Sequence, residues 1–293
     1  MKAKSWLRAL LFENLFQHAL ATSRAIFLFK DVMKSNTTAL QTSNFNTLII
    51  FGLGILSNGD IKYYSNTPGS VDVVVASNGS YTGSDALASK MRSFKTANLT
   101  TVTRLEISMN SKYIKELIAN PGPGSDTRLF RNFVALKTAW DLDAVNNDDE
   151  SVYDAASTVM FGKMLGEVGY KYTIAPYTNI NHWINVKTQL NKGLVEPNLL
   201  LDRVYLQCYD GGTNNDLVSW QSKLGLMVVP ILWVTNDSKP SYSTTAAQAK
   251  KKFTNWNQRS AIGGGGYWND LDIEKMGLSY QQYGEVLMSV FSA

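Results

Sequence analysis

The chain has 293 residues and is 44% apolar, enough to bury a full core, and its length fits one alternating α/β barrel better than two ordinary domains. Its 28 basic and 24 acidic residues leave a formal charge of +4 with no basic stripe or tail, which argues against nucleic acid as a partner. A lone Cys208 excludes an internal disulfide framework and a cysteine zinc site, and His18 and His182 are too few and too far apart for a metal cluster. Catalysis then falls to carboxylates and hydroxyls, with no metal and no cofactor implied.

At the start, Lys2, Lys4 and Arg8 precede a patchy apolar stretch ending in Ala19-Leu20-Ala21, the outline of a secretory leader. Glu13, Asn14, Gln17 and His18 interrupt its apolar centre. The expected division is a leader over residues 1–24 and a barrel over 25–293. N-x-S/T triplets at Asn36, Asn78, Asn98 and Asn236 are compatible with a secreted, extracellular protein from a eukaryotic route. No later segment is long and apolar enough to span a membrane, and a monomer is expected.

From Ala25 onward, β-rich apolar runs alternate with stretches of helical period. Strands are predicted at 26–29, 47–55, 102–108, 142–147, 172–176, 203–207, 227–234 and 264–268. Helices are predicted near 35–43, 84–97, 126–139, 154–168, 181–192, 216–224, 244–260 and 279–291. This order predicts an α/β fold, a single-domain (β/α)8 TIM barrel, rather than a doubly wound sheet. Ser57-Asn58-Gly59-Asp60 followed by Ile61-Lys62-Tyr63-Tyr64 reads as a hairpin decorating the second strand. In such a barrel the chemistry gathers where strands end, so polar residues closing an apolar strand are the informative ones.

The densest polar stretch, from Asp141 to Glu150, falls at the end of the fourth strand. Alternation along a strand puts Asn146, Asp148 and Glu150 on one face, toward the barrel interior and its mouth. Crowded acids in a partly dry mouth raise the pKa of at least one of them, which can then donate a proton near neutral pH. The plain alternative is an acidic loop that caps the next helix. Two further strand ends are distinctive: Leu206-Gln207-Cys208-Tyr209-Asp210 on the sixth, and Gly264-Gly265-Gly266-Tyr267-Trp268 on the eighth.

Together these motifs resemble glycoside hydrolase family 18. Asp143-x-x-Asn146-x-Asp148-x-Glu150 is similar to the D-x-x-D-x-D-x-E signature of its chitinases, and the ending Asp148-Asp149-Glu150 is similar to its endo-β-N-acetylglucosaminidases. The sixth-strand element resembles the family's Q-x-Y or M-x-Y-D, and the eighth-strand Trp resembles the floor of its sugar site. The resemblance implies substrate-assisted retaining hydrolysis of β-linked N-acetylglucosamine in chitin-like chains or an N-glycan core, an exception to the two-carboxylate scheme. It implies Glu150 as general acid and base, Asp148 on the acetamide nitrogen and Tyr209 on the acetamide oxygen. Trp268 would stack beneath the sugar, and Gln207, Asp210, Asp143, Asn146 and Tyr177 would contribute to substrate binding. The partner implied is an oligosaccharide or polysaccharide.

The sequence also departs from the family. Asn146 stands in place of an Asp, Ala144 in place of a Gly, and Ile107-Ser108-Met109-Asn110 in place of S-x-G-G. Asn146 and the missing S-x-G-G favour an alternative, a non-catalytic, lectin-like barrel; a third reading is hydrolysis of another glycan such as an amino-sugar matrix polymer. Among other residues, Trp233, Asn236 and Asp237 close the seventh strand and are candidates for the cleft. Lys30 and Asp31 read as an ion pair, and Asp270 and Asp272 as caps of a last turn. His182 reads as a surface residue at a helix start, and Cys208 as a small hydrophobe packed outward. The glycines from Gly263 to Gly266 lack the Lys-Ser/Thr of a phosphate loop.

Overall fold

A computed structural model describes residues 22–292. The leader expected near the start, with His18, lies outside the described residues for all but its last three positions. Those positions run into the first strand, β1 (Ser23–Leu28), two residues before the predicted barrel boundary.

The barrel strands are β1, β2 (Thr47–Ile55), β6 (Arg104–Met109), β7 (Ala144–Asn147), β8 (Lys171–Ile174), β9 (Leu201–Gln207), β10 (Val228–Trp233) and β11 (Gly264–Trp268). Each pairs in parallel with its neighbours, and β1 joins both β11 and β2, so the sheet is a closed eight-stranded barrel. The predicted (β/α)8 fold is therefore the observed one. Closing the ring demands close approach between β11 and β1: a Cβ on Gly264, whose φ is +129°, would meet the Ser23 carbonyl oxygen at 2.0 Å. The glycines of β11 thus serve packing.

The helices follow in order as α1 (Thr37–Thr42), α2 (Asp85–Thr96), α3 (Ile114–Ala119), α4 (Arg128–Trp140), α5 (Ala155–Val168), α6 (Ile180–Leu190), α7 (Leu217–Leu224), α8 (Ala246–Arg259), α9 (Asp270–Lys275) and α10 (Tyr280–Phe291). Side-chain caps fix many of the starts; Thr245 and Gln248 form a reciprocal capping box on α8. Among the described residues, no helix is long and apolar enough to cross a membrane. The predicted hairpin is present as β3 (Ile61–Tyr63), antiparallel to β2. It continues into β4 (Val73–Ser77) and β5 (Ser80–Tyr81), which the sequence reading missed because Val71 to Val75 alternates poorly with its polar neighbours.

The interior of the barrel is divided. Ala25, Phe27, Ile49, Val229 and Ile231, from β1, β2 and β10, make one half apolar. The other half is polar: Tyr205 Oη donates to Glu106 Oε1 at 2.6 Å, Thr173 Oγ1 donates to Glu106 Oε2 at 2.7 Å, and Arg104 Nε donates to Oε1 at 2.6 Å. Arg104 also holds Asp202 through two bonds, at 2.7 and 2.9 Å. Burial works against the guanidinium charge, and the facing Glu106 and Asp202 outweigh it, so the Arg104 pKa stands well above its ordinary value. Removing one member of such a buried set strands a charge. Glu106→Leu is expected to cost about 3–5 kcal/mol of unfolding free energy in a urea titration, and a change within experimental error would contradict this reading.

Candidate active site

The cavity at the C-terminal mouth of the barrel, about 690 Å³, is built from both halves of that interior. On the polar side, the Asp148 amide donates to the Met109 carbonyl at 2.9 Å, extending the β7 to β6 ladder one residue past the strand. That extra rung turns the Asp148 side chain inward, on the same face as Asn146. Asp149 then points the other way and is buried, where its carboxylate accepts the amides of Ser151, Val152 and Tyr153 at 3.0, 2.8 and 2.8 Å. This clamp fixes the turn that presents Glu150 at the rim, exposed and lining the cavity.

Asp148 sits half-buried in the polar wall of the cavity. Burial pushes its carboxyl up to about 7, and the nearby charges of Glu150 and Asp149 add to the effect. The acid expected to hold a proton near neutral pH is therefore Asp148. Gln207 supports it: its Nε2 donates to the Ala175 carbonyl at 2.8 Å and to Asp148 Oδ1 at 3.2 Å. Tyr209, two residues on, lines the same cavity, and burial followed by the charges of Asp148 and Glu150 holds its hydroxyl well above the usual phenol range.

The apolar half supplies the floor. The Trp268 indole is held by Phe51, Phe29 and Phe27, with ring centroids at 4.7, 5.4 and 5.5 Å. Trp233 forms a wall, its ring meeting Tyr209 edge-to-face at 5.7 Å. Tyr177 and Asp210 complete the far side, Asp210 paired with Lys239 at the rim.

Seven of the nine predicted site residues, namely Glu150, Asp148, Tyr209, Gln207, Asp210, Trp268 and Tyr177, thus line one cavity. Asp143 and Asn146 do not. Asp143 precedes β7 at the opposite end of the barrel, about 16 Å down the strand from Asp148. There it accepts Lys95 Nζ at 2.9 Å and the Leu105 amide at 2.7 Å, so it is a structural anchor. Asn146 is fully buried one layer below the cavity; its Oδ1 accepts Ser108 Oγ at 2.9 Å and its Nδ2 donates to Thr173 Oγ1 at 3.0 Å.

Tyr64 and Asn66, from the strand-hairpin excursion after β2, also line the cavity and were not predicted. The signal was present in alternation: Tyr63 is buried in the outer core, so Tyr64 faces the other way. Gly54 is its seat, since a Cβ there would meet the Tyr64 ring at 2.5 Å. Lys30 pairs with Glu274 rather than Asp31, whose carboxylate instead accepts Met33 N and Ser70 Oγ. His182 is half-buried against Tyr153 and Trp183, and burial lowers its pKa. Asn236 is buried in a tight turn and Asp237 pairs with Lys275, so neither lines the cavity. Cys208 packs outward as expected, its thiol pushed up to about 12 by burial.

No family model and no curated protein matches the chain. Solved structures do. A GH18 chitinase from Pseudoalteromonas aurantia superposes with a TM-score of 0.65 at 11% identity, over 92% of this chain and 100% of that one. The catalytic domain of a GH18 chitinase from the fern Peteris ryukyuensis gives 0.64 at 12% identity, over 93% and 100%. The GH18 chitinase from the chitin utilization locus of Flavobacterium johnsoniae gives 0.62 at 16% identity, over 92% and 94%. The chain therefore has the barrel fold of the family 18 chitinases along nearly its whole length.

Proposed function

We propose that this barrel is a divergent family 18 glycoside hydrolase that cleaves glycans containing β-linked N-acetylglucosamine, in chitin-like chains or an N-glycan core. The observation that carries the reading is the convergence of Glu150, Asp148, Gln207, Tyr209 and Trp268 on one cavity at the strand ends. Glu150, on the open rim, protonates the glycosidic oxygen as the bond to the anomeric carbon breaks. The substrate's acetamide oxygen forms the new bond to that carbon from the other face, and Tyr209 aims it. Asp148, in its ionised form, accepts the acetamide N–H and balances the positive charge of the resulting oxazolinium ring. Water then opens the ring, giving its proton to Glu150.

Two displacements at one carbon leave its configuration unchanged. Proton NMR of a digest is expected to show the β anomer of the newly released sugar first, with α appearing only by mutarotation. Glucose oligomers, which lack the acetamide nucleophile, are expected to resist cleavage. Prompt release of the α anomer, or equal cleavage of both oligomers, would rule out the acetamide mechanism. A non-catalytic sugar-binding barrel is the second reading, favoured by the neutral Asn146 beneath Asp148. Glycan binding with no product over prolonged incubation is its signature.

A further inference from the structure

The short helix α9 follows the Trp268 strand, and its acidic residues do not serve as its cap. That role belongs to Asn269, whose Oδ1 accepts the Asp272 amide at 3.0 Å. The Asp272 side chain instead reaches across to β10. Its Oδ2 accepts the Trp233 indole Nε1–H at 2.7 Å and Asn269 Nδ2 at 3.2 Å. Trp233 is half-buried, and with its N–H engaged on the side of α9 it presents the rest of the indole to the cavity wall and to the edge of Tyr209.

The other polar residues of α9 fasten the surrounding strand ends. Asp270 Oδ1 accepts the Phe29 and Lys30 amides at 2.7 and 3.0 Å, and Lys275 Nζ donates to Asp237 at 2.9 Å. Phe29 in turn packs on Trp268. The floor and the wall of the cavity thus share one bracket.

We infer that Asp272 is a positioning residue for glycan binding: it selects the rotamer of Trp233 and so sets the aromatic wall against which a second sugar unit lies beside the one over Trp268. A Trp with a free N–H in an aromatic cleft has several ways to turn; a charged acceptor at 2.7 Å leaves one. This assignment rests on the glycan reading of the cavity, but the geometry it depends on does not.

The test uses two readouts on the full chain carrying Glu150→Gln, which holds ligand without turnover. The first needs no ligand: the Trp233 indole N–H resonance, identified by its loss in Trp233→Phe, is expected to shift and exchange faster with solvent in Asp272→Ala, and to stay near its original place in Asp272→Asn, which keeps an acceptor. The second is calorimetric binding of N-acetylglucosamine tetramer, expected to weaken roughly tenfold in Asp272→Ala, the size of a lost charge-assisted hydrogen bond. Asp272→Asn is expected to recover most of that loss. In a Trp233→Phe background, Asp272→Ala is expected to add nothing further.

An unmoved indole resonance in Asp272→Ala overturns the inference. So does a tenfold loss that persists in the Trp233→Phe background, because Asp272 would then act by another route. If the unsubstituted cavity binds no tetramer at all, the glycan reading fails, and the indole resonance alone decides whether Asp272 sets the wall.

Discussion

Glu150→Gln is expected to lower the rate of glycan cleavage by about a hundredfold to ten thousandfold, the range that a positioned general acid supplies. The fold should be untouched. Glu150 is exposed at the rim, and the turn that carries it is held by the Asp149 clamp on three backbone amides rather than by Glu150 itself. Glutamine keeps the size and loses the proton, so binding of an N-acetylglucosamine oligomer should survive while turnover does not. Equal losses in binding and in turnover would instead make Glu150 a recognition residue. Full activity in this variant would remove it from the chemistry altogether.

Asp148→Asn is expected to move activity and stability in opposite directions. On the proposed mechanism, removing the carboxylate that faces the oxazolinium charge should lower turnover by about a hundredfold to a thousandfold, as loss of a preorganised charge partner does. Stability is governed by the raised pKa. The Asp148 carboxyl stands at about 7 in the folded chain against 3.8 ordinarily, so between those values the folded state holds a proton that the unfolded state has released. Its contribution to stability therefore falls as pH rises from about 4 to about 7, and above that range the folded chain carries a buried charge it would be better without. Asparagine removes that burden. Unfolding free energy should rise by roughly 1–3 kcal/mol at pH 8 and change little at pH 4, as checked by denaturant titrations at the two values. A destabilised variant at pH 8 would mean that Asp148 is favourably charged in the native state.

The strand-to-helix order, and with it the closed barrel, was legible in the sequence because parallel strands buried on both faces read as apolar runs separated by amphipathic helices. The motifs on the fourth and sixth strands were legible for a related reason: alternation converts spacing into direction and aims Asp148, Gln207 and Tyr209 inward, whereas the place of Trp268 followed only from the family resemblance of its glycine-led strand. Depth along the strand was harder to read. Asp143 and Asn146 share the motif with Asp148, yet the four-residue β7 ends one residue past Asn146, leaving Asp143 at the bottom of the barrel and Asn146 sealed beneath the cavity. Contributions from distant segments were hidden more deeply. Glu106 gathers Thr173 and Tyr205 from two other strands, and Asp272 finds Trp233 39 residues away, and no local pattern announces either meeting. Tyr64 lies between these extremes, since it follows from the burial of Tyr63 once the hairpin is known.

The most direct test is mass spectrometry of the products formed when purified wild type and Glu150→Gln are each incubated with chitin oligosaccharides and with a high-mannose glycoprotein. The expected result is shortened N-acetylglucosamine oligomers, or a glycan released with a single N-acetylglucosamine left on the protein, from wild type alone. No product from either substrate with folded wild-type protein, or the same products from both proteins, would contradict hydrolysis by Glu150 in this cavity.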